Sequence, residues 1–533
     1  MELIYFSKLG ITPDPSYWNV AGIPLTAFQF VLAIFITVNI AFLIKFIFKK
    51  QSKSENNIRV DIILLFFIYI STFLIWNNSP MLKHYFSIEP SPPNYQPFPY
   101  SDARVYDLGA ISVNNGWGIH FGGIIDKPLY IGLLSIFHII SPNNYINFTI
   151  IQIAILSLIT PFLFFFGRTF HSRFFGIFIA LIVIIQQKNA IVLSHVVAGV
   201  NSKLFVTEIF TLFGLIILAF LLFQWTLKGN NKTLFSLLIG CILGLTSLIR
   251  LNPVILLPVI SFFMLVFLWK TKKVWLFQNI TFLVGFIIVI SPWLLTGKDQ
   301  NNMPYFFDKF TKVIQSRYSL SNTQLRNNSI YSKNIKIAKI NRDFLLSEYI
   351  NDHDFNENNM DFNVFPYFII NHSIHNIIGS FLILPDSINK ENQNITTLVK
   401  RSYWQENQTQ TWLGELDTGQ LIFIIINLLI ISFGFYWSWK RWKLAGLIPL
   451  MIFIAYCISL GLARNSGSRY IVPIDWIIYF YYSIGILYVL KFMFSNIYIG
   501  LKSNNDNLQH QTKNSKFYSP IIINISSIIV IIG

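Results

Sequence analysis

Few residues in this sequence carry a charge. Asp, Glu, Lys and Arg make up 12% of the 533 residues, whereas hydrophobic residues make up 53%. A soluble domain normally carries about a quarter charged residues, so a single soluble domain is excluded. The apolar residues form continuous runs, which argues against a membrane β-barrel because barrel strands alternate polar and apolar side chains.

Cysteine is also scarce, and both cysteines, Cys241 and Cys457, lie within apolar runs. A disulfide framework is therefore not indicated. Acids are outnumbered by bases, and the formal net charge is +16. The cations cluster between apolar runs, as in membrane proteins whose cytoplasmic connections are basic. We therefore expect membrane lipids as partners and no nucleic acid.

The long apolar runs predict an all-α polytopic membrane protein. A helix needs about 20 apolar residues to cross a bilayer, and it satisfies its own backbone hydrogen bonds there. We predict about 12 transmembrane helices. The runs lie at residues 22–44, 60–77, 146–167, 174–187, 204–226, 234–250, 253–269, 275–295, 419–437, 445–463, 471–490 and 519–533.

Basic residues in every second connection predict the orientation. Connections of this kind face the cytoplasm, which places the N-terminus and two large segments, 78–145 and 297–418, outside. We assign residues 1–495 to one transmembrane domain, 496–518 to a cytoplasmic polar segment and 519–533 to the start of a further helix. We expect segment 297–418 to form a cap, with a disordered linker as the alternative for its middle part. The basic residues are Lys45, Lys49, Lys50, Lys53, Arg59, Arg168, Arg173, Lys228, Lys232, Lys270, Lys272, Lys273, Lys440, Arg441 and Lys443.

Two further apolar segments are interpreted as helices in the membrane interface. Pro128 to Ile140 is shorter than a span, and counting it as one would move the later basic connections outside. Phe365 to Pro385 is interrupted by polar residues. They are Asn371, His372, His375 and Asn376.

Four cations lie in or beside connections that this topology places outside: Lys127, Arg250, Arg464 and Arg469. A cation placed against the usual bias indicates an anion to bind. Arginine suits phosphate because its planar guanidinium donates two parallel hydrogen bonds. The alternative is that these side chains extend to lipid headgroups.

Acids gather on the same side of the predicted membrane. Asp102, Asp107 and Asp126 lie in the first outer segment, and Glu208 lies near the outer end of the fifth run. A carboxylate near the membrane is costly unless it is paired or hydrated. Acids and phosphate-binding cations on one face indicate a site for a phosphorylated substrate, in which an acid acts as general base and the cations stabilise the departing phosphate.

The order of several short motifs resembles the GT-C class of integral-membrane glycosyltransferases, in particular the protein O-mannosyltransferase and lipid A aminoarabinose transferase group. The resemblance covers roughly residues 20–495. That group often has two adjacent acids where this chain has Asp102-Ala103, so the subfamily and the acceptor stay open. The motifs are Tyr100-Ser-Asp-Ala-Arg-Val-Tyr106, Gly116-Trp-Gly118, Asp126-Lys-Pro-Leu-Tyr130, Thr207-Glu208, Leu248-Ile-Arg250, Pro292-Trp293 and Arg469-Tyr470-Ile-Val-Pro473.

The resemblance implies transfer of a sugar from a polyprenyl-phosphate donor to a lipid, glycan or protein acceptor, by a single displacement with inversion. Asp102 would be the catalytic base, and Lys127, Arg250 and Arg469 would hold the donor phosphate. The implied location is the outer, periplasmic face of a bacterial plasma membrane. The supporting residues would be Arg104, Tyr106, Asp107, Asp126, Glu208, Arg464 and Tyr470.

No cofactor is expected to be required, although some branches of the class use a divalent metal. Here Asp102 and Glu208 would share Mg²⁺ or Mn²⁺, since hard cations prefer oxygen ligands. A zinc site is not favoured, because Asp352-His-Asp354 and His372-Ser-Ile-His375 do not form a closed ligand pattern.

Two alternatives remain open. A transporter or lipid flippase would show acids or broken helices near mid-span and paired halves, and the acids singled out above lie at the outer face. A glycan polymerase or ligase is also multi-pass with a large outer loop and uses Arg and His, a role that His372 and His375 would fill.

Overall fold

The computed structural model describes residues 9–11, 14, 22–47, 58–81, 84–118, 127–142, 144–192, 199–227, 232–297, 304, 311, 314, 317–318, 365–385, 387 and 418–506. The described residues form α-helices and short 3₁₀ turns, and these residues contain no β-strand beyond isolated β-bridges such as those near residues 84–99. The expectation of an all-α polytopic protein is confirmed.

The helices follow the apolar runs. They are α1 (Ala27–Ile47), α2 (Ile58–Asn78), α3 (Asp102–Asn114), α4 (Pro128–Ile140), α5 (Tyr145–Leu156), α6 (Ile159–Phe170), α7 (Arg173–Val192), α8 (Glu208–Leu227), α9 (Lys232–Ile249), α10 (Leu256–Phe267), α11 (Lys272–Thr296), α12 (Phe365–Leu382), α13 (Thr418–Trp442), α14 (Ile448–Leu462) and α15 (Ser468–Asp506). The 3₁₀ turns Asn252–Ile255 and Lys443–Leu447 precede α10 and α14.

Within the described residues, nine helical stretches are long and apolar enough to cross a membrane. One of them, Gly419–Leu462, contains both α13 and α14. The 3₁₀ turn Lys443–Leu447 separates these two helices, and within it Gly446 packs against the Ser438 carbonyl. The run at 253–269 forms only a shorter helix after Asn252. Eleven of the predicted runs therefore coincide with helices, and 519–533 lies outside the described residues.

The two ends of the bundle differ in charge. At one end, Asp61 of α2 is buried and forms ion pairs of 2.7 Å with Arg168 and 2.6 Å with Arg173, where α6 ends and α7 begins. At the other end α8 and α15 begin and α9 ends, and this end is called the site end below. The alternation of helix directions agrees with the alternation of basic connections in the sequence.

The centre of the bundle is formed by α7, α8 and α15, whose side chains are largely buried, whereas α1, α2 and α11 expose apolar side chains along much of their length. Aromatic rings fill the space between the central helices. Phe166 stacks on Phe480 at 5.2 Å, and Phe170 contacts Phe223 at 5.1 Å. This packing joins α6 to the C-terminal part of α8 and to α15.

Two helix pairs approach closely at reciprocal glycines. Gly240 of α9 lies against the backbone of α11, and Gly285 of α11 lies against the backbone of α9. Gly434 of α13 and Gly485 of α15 have the same relation. Small residues allow this approach in membranes, where helix association depends on close packing rather than on the hydrophobic effect.

Helix α12 occupies the segment Phe365 to Pro385 that was predicted as an interfacial helix, and its polar side chains face the protein interior. Asn371, His372, His375 and Asn376 are all buried, and α12 packs against α14 and α15. Its polar side chains bond the N-terminal segment and the loop before α15, so they connect protein segments rather than face solvent. At the other boundary, α15 continues to Asp506 through the first part of the predicted polar segment 496–518.

Substitution of Gly240 by Ala is expected to lower the thermal stability of the detergent-solubilised protein, since the added Cβ collides with the Phe282 carbonyl. Overpacking of this kind costs roughly 1–3 kcal/mol. The matched control is Gly132→Ala in α4, where a Cβ meets nothing within 4 Å. Equal melting temperatures for the two variants would contradict the close approach of α9 and α11.

Candidate active site

Four side chains of alternating charge form a continuous chain at the site end. Asp102 Oδ2 lies 2.7 Å from Arg469 Nη2, and Arg469 Nε lies 2.5 Å from Glu208 Oε1. The same Glu208 oxygen lies 2.7 Å from Arg250 Nη1. Three of these residues were predicted as catalytic or phosphate-binding and Glu208 as supporting, and the structure brings all four together.

The positions of the two acids follow from the helices that carry them. Asp102 is the first residue of α3, and Glu208 is the first residue of α8. The N-terminus of a helix carries a partial positive charge that favours a carboxylate. The two acids differ in exposure, because the Asp102 side chain is 46% exposed whereas that of Glu208 is fully buried. Asp102 is therefore the acid that a substrate can reach.

Arg250 is fixed by the break between α9 and α10. Its Nη1 donates to Thr207 Oγ1 at 3.2 Å, and its Nε donates to Asn252 Oδ1 at 3.3 Å. Asn252 is in turn tied to α14, since Ser459 Oγ donates to its carbonyl at 2.9 Å. Burial alone would lower the pKa of Arg250, but the adjacent Glu208 carboxylate raises the pKa overall. The guanidinium stays charged.

Aromatic rings line this group of charges. The guanidinium of Arg469 lies 4.3 Å from the centre of the Phe86 ring, and the guanidinium groups of Arg469 and Arg250 each lie 5.9 Å from Tyr470. Phe86 is held by backbone pairing, because the Tyr100 N–H donates to its carbonyl at 3.0 Å. Sequence reasoning missed Phe86, since the only signal was an aromatic residue in a loop rich in aromatic residues.

Lys127 approaches the same group from the start of α4. Its Nζ lies 4.6 Å from the centre of the Tyr106 ring, and Tyr106 is on α3, one turn beyond Asp102. Tyr106 packs edge to face against Tyr130 at 5.7 Å. Burial raises the pKa of Tyr130 well above its usual value, and its hydroxyl finds no hydrogen-bond partner among the described residues.

The contacts of Asp107 indicate a structural role. Its Oδ1 lies 2.8 Å from His138 Nε2, and its Oδ2 accepts a hydrogen bond of 2.7 Å from the Tyr145 hydroxyl. Asp107 and His138 are both buried. With both carboxylate oxygens engaged, Asp107 joins α3 to α4 and α5 and so helps to hold Asp102 at the site end.

Arg464 belongs to a different network, and here the structure separates residues that the sequence grouped. Arg464 Nε donates to Asp14 Oδ2 at 2.7 Å, and His372 Nε2 lies 2.8 Å from the same oxygen. His372 Nδ1 lies 3.0 Å from Ser466 Oγ, and His375 Nδ1 lies 2.9 Å from the Gly10 carbonyl. Sequence reasoning missed Asp14, because a lone acid in a Pro-rich stretch carries no signal.

This second network is buried, which decides its role. His372 and Ser466 have no exposure to solvent, and Asp14 has 5%. Burial lowers the pKa of His372, although the hydrogen bond from His372 to the Asp14 carboxylate opposes that shift. A hydrogen-bonded series of aspartate, histidine and serine suggests that the serine is a nucleophile. The hydroxyl of Ser466 is fully buried, however, so no substrate reaches it. The network anchors the N-terminal segment and α12 to the loop that leads into α15.

The remaining predicted residues lie apart from the charges or outside the described residues. Arg104 is exposed on α3. Asp126 and the Asp352–Asp354 motif fall outside the described ranges. Asp475, which the sequence reasoning did not consider, is a buried acid seven residues beyond the start of α15. Its Oδ1 accepts from Ser380 Oγ at 3.4 Å, and it takes no part in the chain of charges.

A divalent metal shared by Asp102 and Glu208 does not fit this arrangement. The Arg469 guanidinium bridges the two carboxylates and supplies the positive charge that a metal would bring. In the part of the chain that the structure describes, no group of three His, Cys, Asp or Glu side chains is placed to hold a metal ion. The geometry instead provides one reachable carboxylate beside fixed guanidinium groups.

The chain was compared with protein families, with curated proteins and with solved structures, and the last comparison found a similar protein. No protein-family model matches the sequence, and no curated protein matches it. Among solved structures, the chain is similar to the archaeal oligosaccharyltransferase AglB from Archaeoglobus fulgidus, in complex with an inhibitory peptide and a dolichol-phosphate. The TM-score is 0.45 at 12% sequence identity, over 90% of this chain and 54% of that chain. The chain thus spans about half the length of that protein.

Replacing Glu208 by Gln is expected to destabilise the protein, because both guanidinium groups at the site would lose their shared buried counter-charge. Breaking a buried ion pair costs roughly 3–5 kcal/mol. The readout is the melting temperature in detergent, with Glu89→Gln, an exposed acid between α2 and α3, as control. A Glu208 variant as stable as the control would refute the central position of this carboxylate.

Proposed function

We propose that the chain is a GT-C-like membrane glycosyltransferase that moves a sugar from a polyprenyl-phosphate-linked donor to a hydroxyl of a lipid, glycan or protein acceptor on the outer face of the membrane. The observation that carries this proposal is the chain of charges from Asp102 through Arg469 and Glu208 to Arg250. It places a reachable carboxylate beside two fixed guanidinium groups at one end of a helix bundle.

The carboxylate supplies the base. Asp102 takes the proton from the acceptor hydroxyl as that oxygen attacks the anomeric carbon of the donor sugar. The bond from the anomeric carbon to the phosphate oxygen breaks in the same displacement, and its electron pair stays on the phosphate. Attack and departure on opposite faces of the sugar invert the anomeric configuration.

The cations supply the stabilisation of the leaving group. Negative charge grows on the phosphate as the bond breaks, and preorganised donors facing that charge lower the barrier. Arg250 and Arg469 are held by Glu208, so they need no rearrangement when the charge develops. Lys127 extends the positive surface toward Asp102 through the Tyr106 ring.

The location of the site supports a lipid-linked substrate. The charges lie where α8 and α15 begin and α9 ends, so a phosphate bound there can keep its polyprenyl chain among the apolar helix surfaces. The end of the bundle that carries Arg168 and Arg173 lies opposite the site end. By the positive-inside rule, that end is cytoplasmic and the site is outside.

The alternatives fit the geometry less well. A glycan polymerase or ligase would use His372 and His375, but their ring nitrogens are engaged in the buried network with Asp14 and Gly10. A transporter would place its ionisable groups along a path through the bilayer. Asp475 is such a group, yet the two acids of the site, Asp102 and Glu208, lie at helix starts at one end of the bundle.

The proposal is tested by sugar transfer with purified protein and polyprenyl-phosphate-linked sugars. The Asp102→Asn variant is expected to lose about 100- to 10,000-fold in rate, the usual contribution of a positioned general base. Glu89→Gln serves as the control because this acid is exposed in the same outer loop. Wild-type turnover by Asp102→Asn would remove Asp102 as the base.

A second test separates phosphate binding from chemistry. Lys127→Met is expected to weaken donor affinity by about tenfold, since a hydrogen bond to a charged group contributes about 1.5–3 kcal/mol, and to change the maximal rate less. Lys188→Met removes an exposed cation near the end of α7 and should leave both values unchanged. Equal donor affinity in the two variants would exclude Lys127 from the phosphate site.

A further inference from the structure

The ion pair between Asp102 and Arg469 places the base and a phosphate-binding residue in direct contact. Under the proposed function, these two residues have different partners during the reaction. Asp102 must accept a proton from the acceptor, and Arg469 must bind the donor phosphate. In the structure one oxygen of Asp102 is bonded to Arg469 instead.

We propose that the donor phosphate displaces Asp102 from Arg469, so that the base is released only when the donor is bound. This inference rests on the proposed function and adds a regulation of the same site. Before the donor binds, the pair with Arg469 holds the base inactive. Once the phosphate takes that guanidinium, the carboxylate turns to the acceptor hydroxyl. The donor therefore binds before the acceptor is activated.

The charge balance of the site supports displacement. Two carboxylates, Asp102 and Glu208, already face two guanidinium groups, so both arginines are matched by protein acids. Lys127 is the additional cation nearby, against the Tyr106 ring. A phosphate that enters this group must compete with a carboxylate for an arginine.

The difference in burial decides which carboxylate gives way. Glu208 is fully buried and bonded to both arginines, and an unpaired buried carboxylate is strongly unfavourable. The Asp102 side chain is 46% exposed, so water or the acceptor hydroxyl can replace the guanidinium as its partner. Arg469 stays in place meanwhile, held by Glu208 and by the Phe86 ring at 4.3 Å.

The same competition acts after the reaction. The donor is a phosphodiester with one negative charge, and the product is a phosphate monoester with a charge of about −1.5 to −2 at neutral pH. The monoester binds the arginines more strongly, which would slow its release. Once Asp102 has released the acceptor's proton to solvent, its carboxylate returns to Arg469, which opposes that binding and favours departure of the product.

The test measures binding of farnesyl phosphate, a short polyprenyl monophosphate, to the purified full chain by titration calorimetry in detergent. Asp102→Asn removes the competing charge and is expected to bind farnesyl phosphate roughly two- to fivefold more tightly than wild type, the range set by a partly exposed ion pair. The variant that loses transfer would thus gain affinity. Asp102→Ala should show the same gain, and a melting curve confirms that each variant folds.

Three controls make the outcome specific. Glu89→Gln removes one negative charge from the same outer loop and should leave the affinity unchanged. Farnesol has the same chain without phosphate, and its binding should not respond to Asp102→Asn. In an Arg469→Gln background, Asp102→Asn should no longer increase the affinity, because the shared guanidinium is absent.

The results separate the two proposals. If wild type binds farnesyl phosphate and Asp102→Asn binds it equally or more weakly, the displacement is refuted while the glycosyltransferase proposal stands. A gain in the Arg469→Gln background would also refute it. If neither wild type nor Asp102→Asn binds farnesyl phosphate more tightly than farnesol, the phosphate site and the proposed function both fail.

Discussion

A fully buried carboxylate, Glu208, is held between two guanidinium groups, and the geometry of the candidate site depends on this interaction. Glu208 begins α8, Arg250 follows α9 and Arg469 lies near the start of α15. One side chain therefore joins three helices at the same end of the bundle. An unpaired carboxylate at this depth is strongly unfavourable, so the arginines and the acid fix each other. Asp102 is connected to this group through Arg469.

Two further polar networks support that arrangement from either side. In the first network, Asp107 of α3 bonds His138 of α4 and Tyr145 of α5. These bonds set the position of α3, the helix that begins with Asp102. The loop before α15 is fixed by the bonds among Asp14, Arg464 and His372. Within that loop, Arg464 is five residues before Arg469. The acids and histidines of both networks are buried, and both oxygens of each carboxylate are hydrogen-bonded. Arrangements of this kind exclude alternative packings, because moving one helix would leave charges unpaired.

The site combines a rigid part and a reachable part. Arg250 and Arg469 are held by Glu208, by Asn252 and by aromatic rings, whereas Asp102 is about half exposed at the first residue of a short helix. A leaving group benefits from fixed donors, and a base that must meet a separate acceptor benefits from access. The difference in burial between the two acids thus corresponds to the difference in the roles proposed for them.

Much of the fold could be predicted from the sequence. Long apolar runs with basic residues in alternate connections determine helices that cross a membrane in a defined direction, because the bilayer imposes both length and backbone hydrogen bonding. The cations Arg250 and Arg469 also stood out in the sequence, since their positions oppose the charge bias of the connections. Contacts between distant segments left no such periodic signal. Phe86, Asp14 and the buried side of α12 could not be identified from local pattern.

From the sequence alone we could predict the all-α membrane fold class, the described helical spans and a set of candidate residues. The packing of the helices shows how those residues divide. It placed Asp102 with Glu208, Arg250 and Arg469, and it placed Arg464 with Asp14 and His372. It also showed that Asp107 is engaged on both oxygens. The physical reason is that a carboxylate pairs with whichever cation the helix packing brings within a few ångströms, and sequence spacing does not encode that distance.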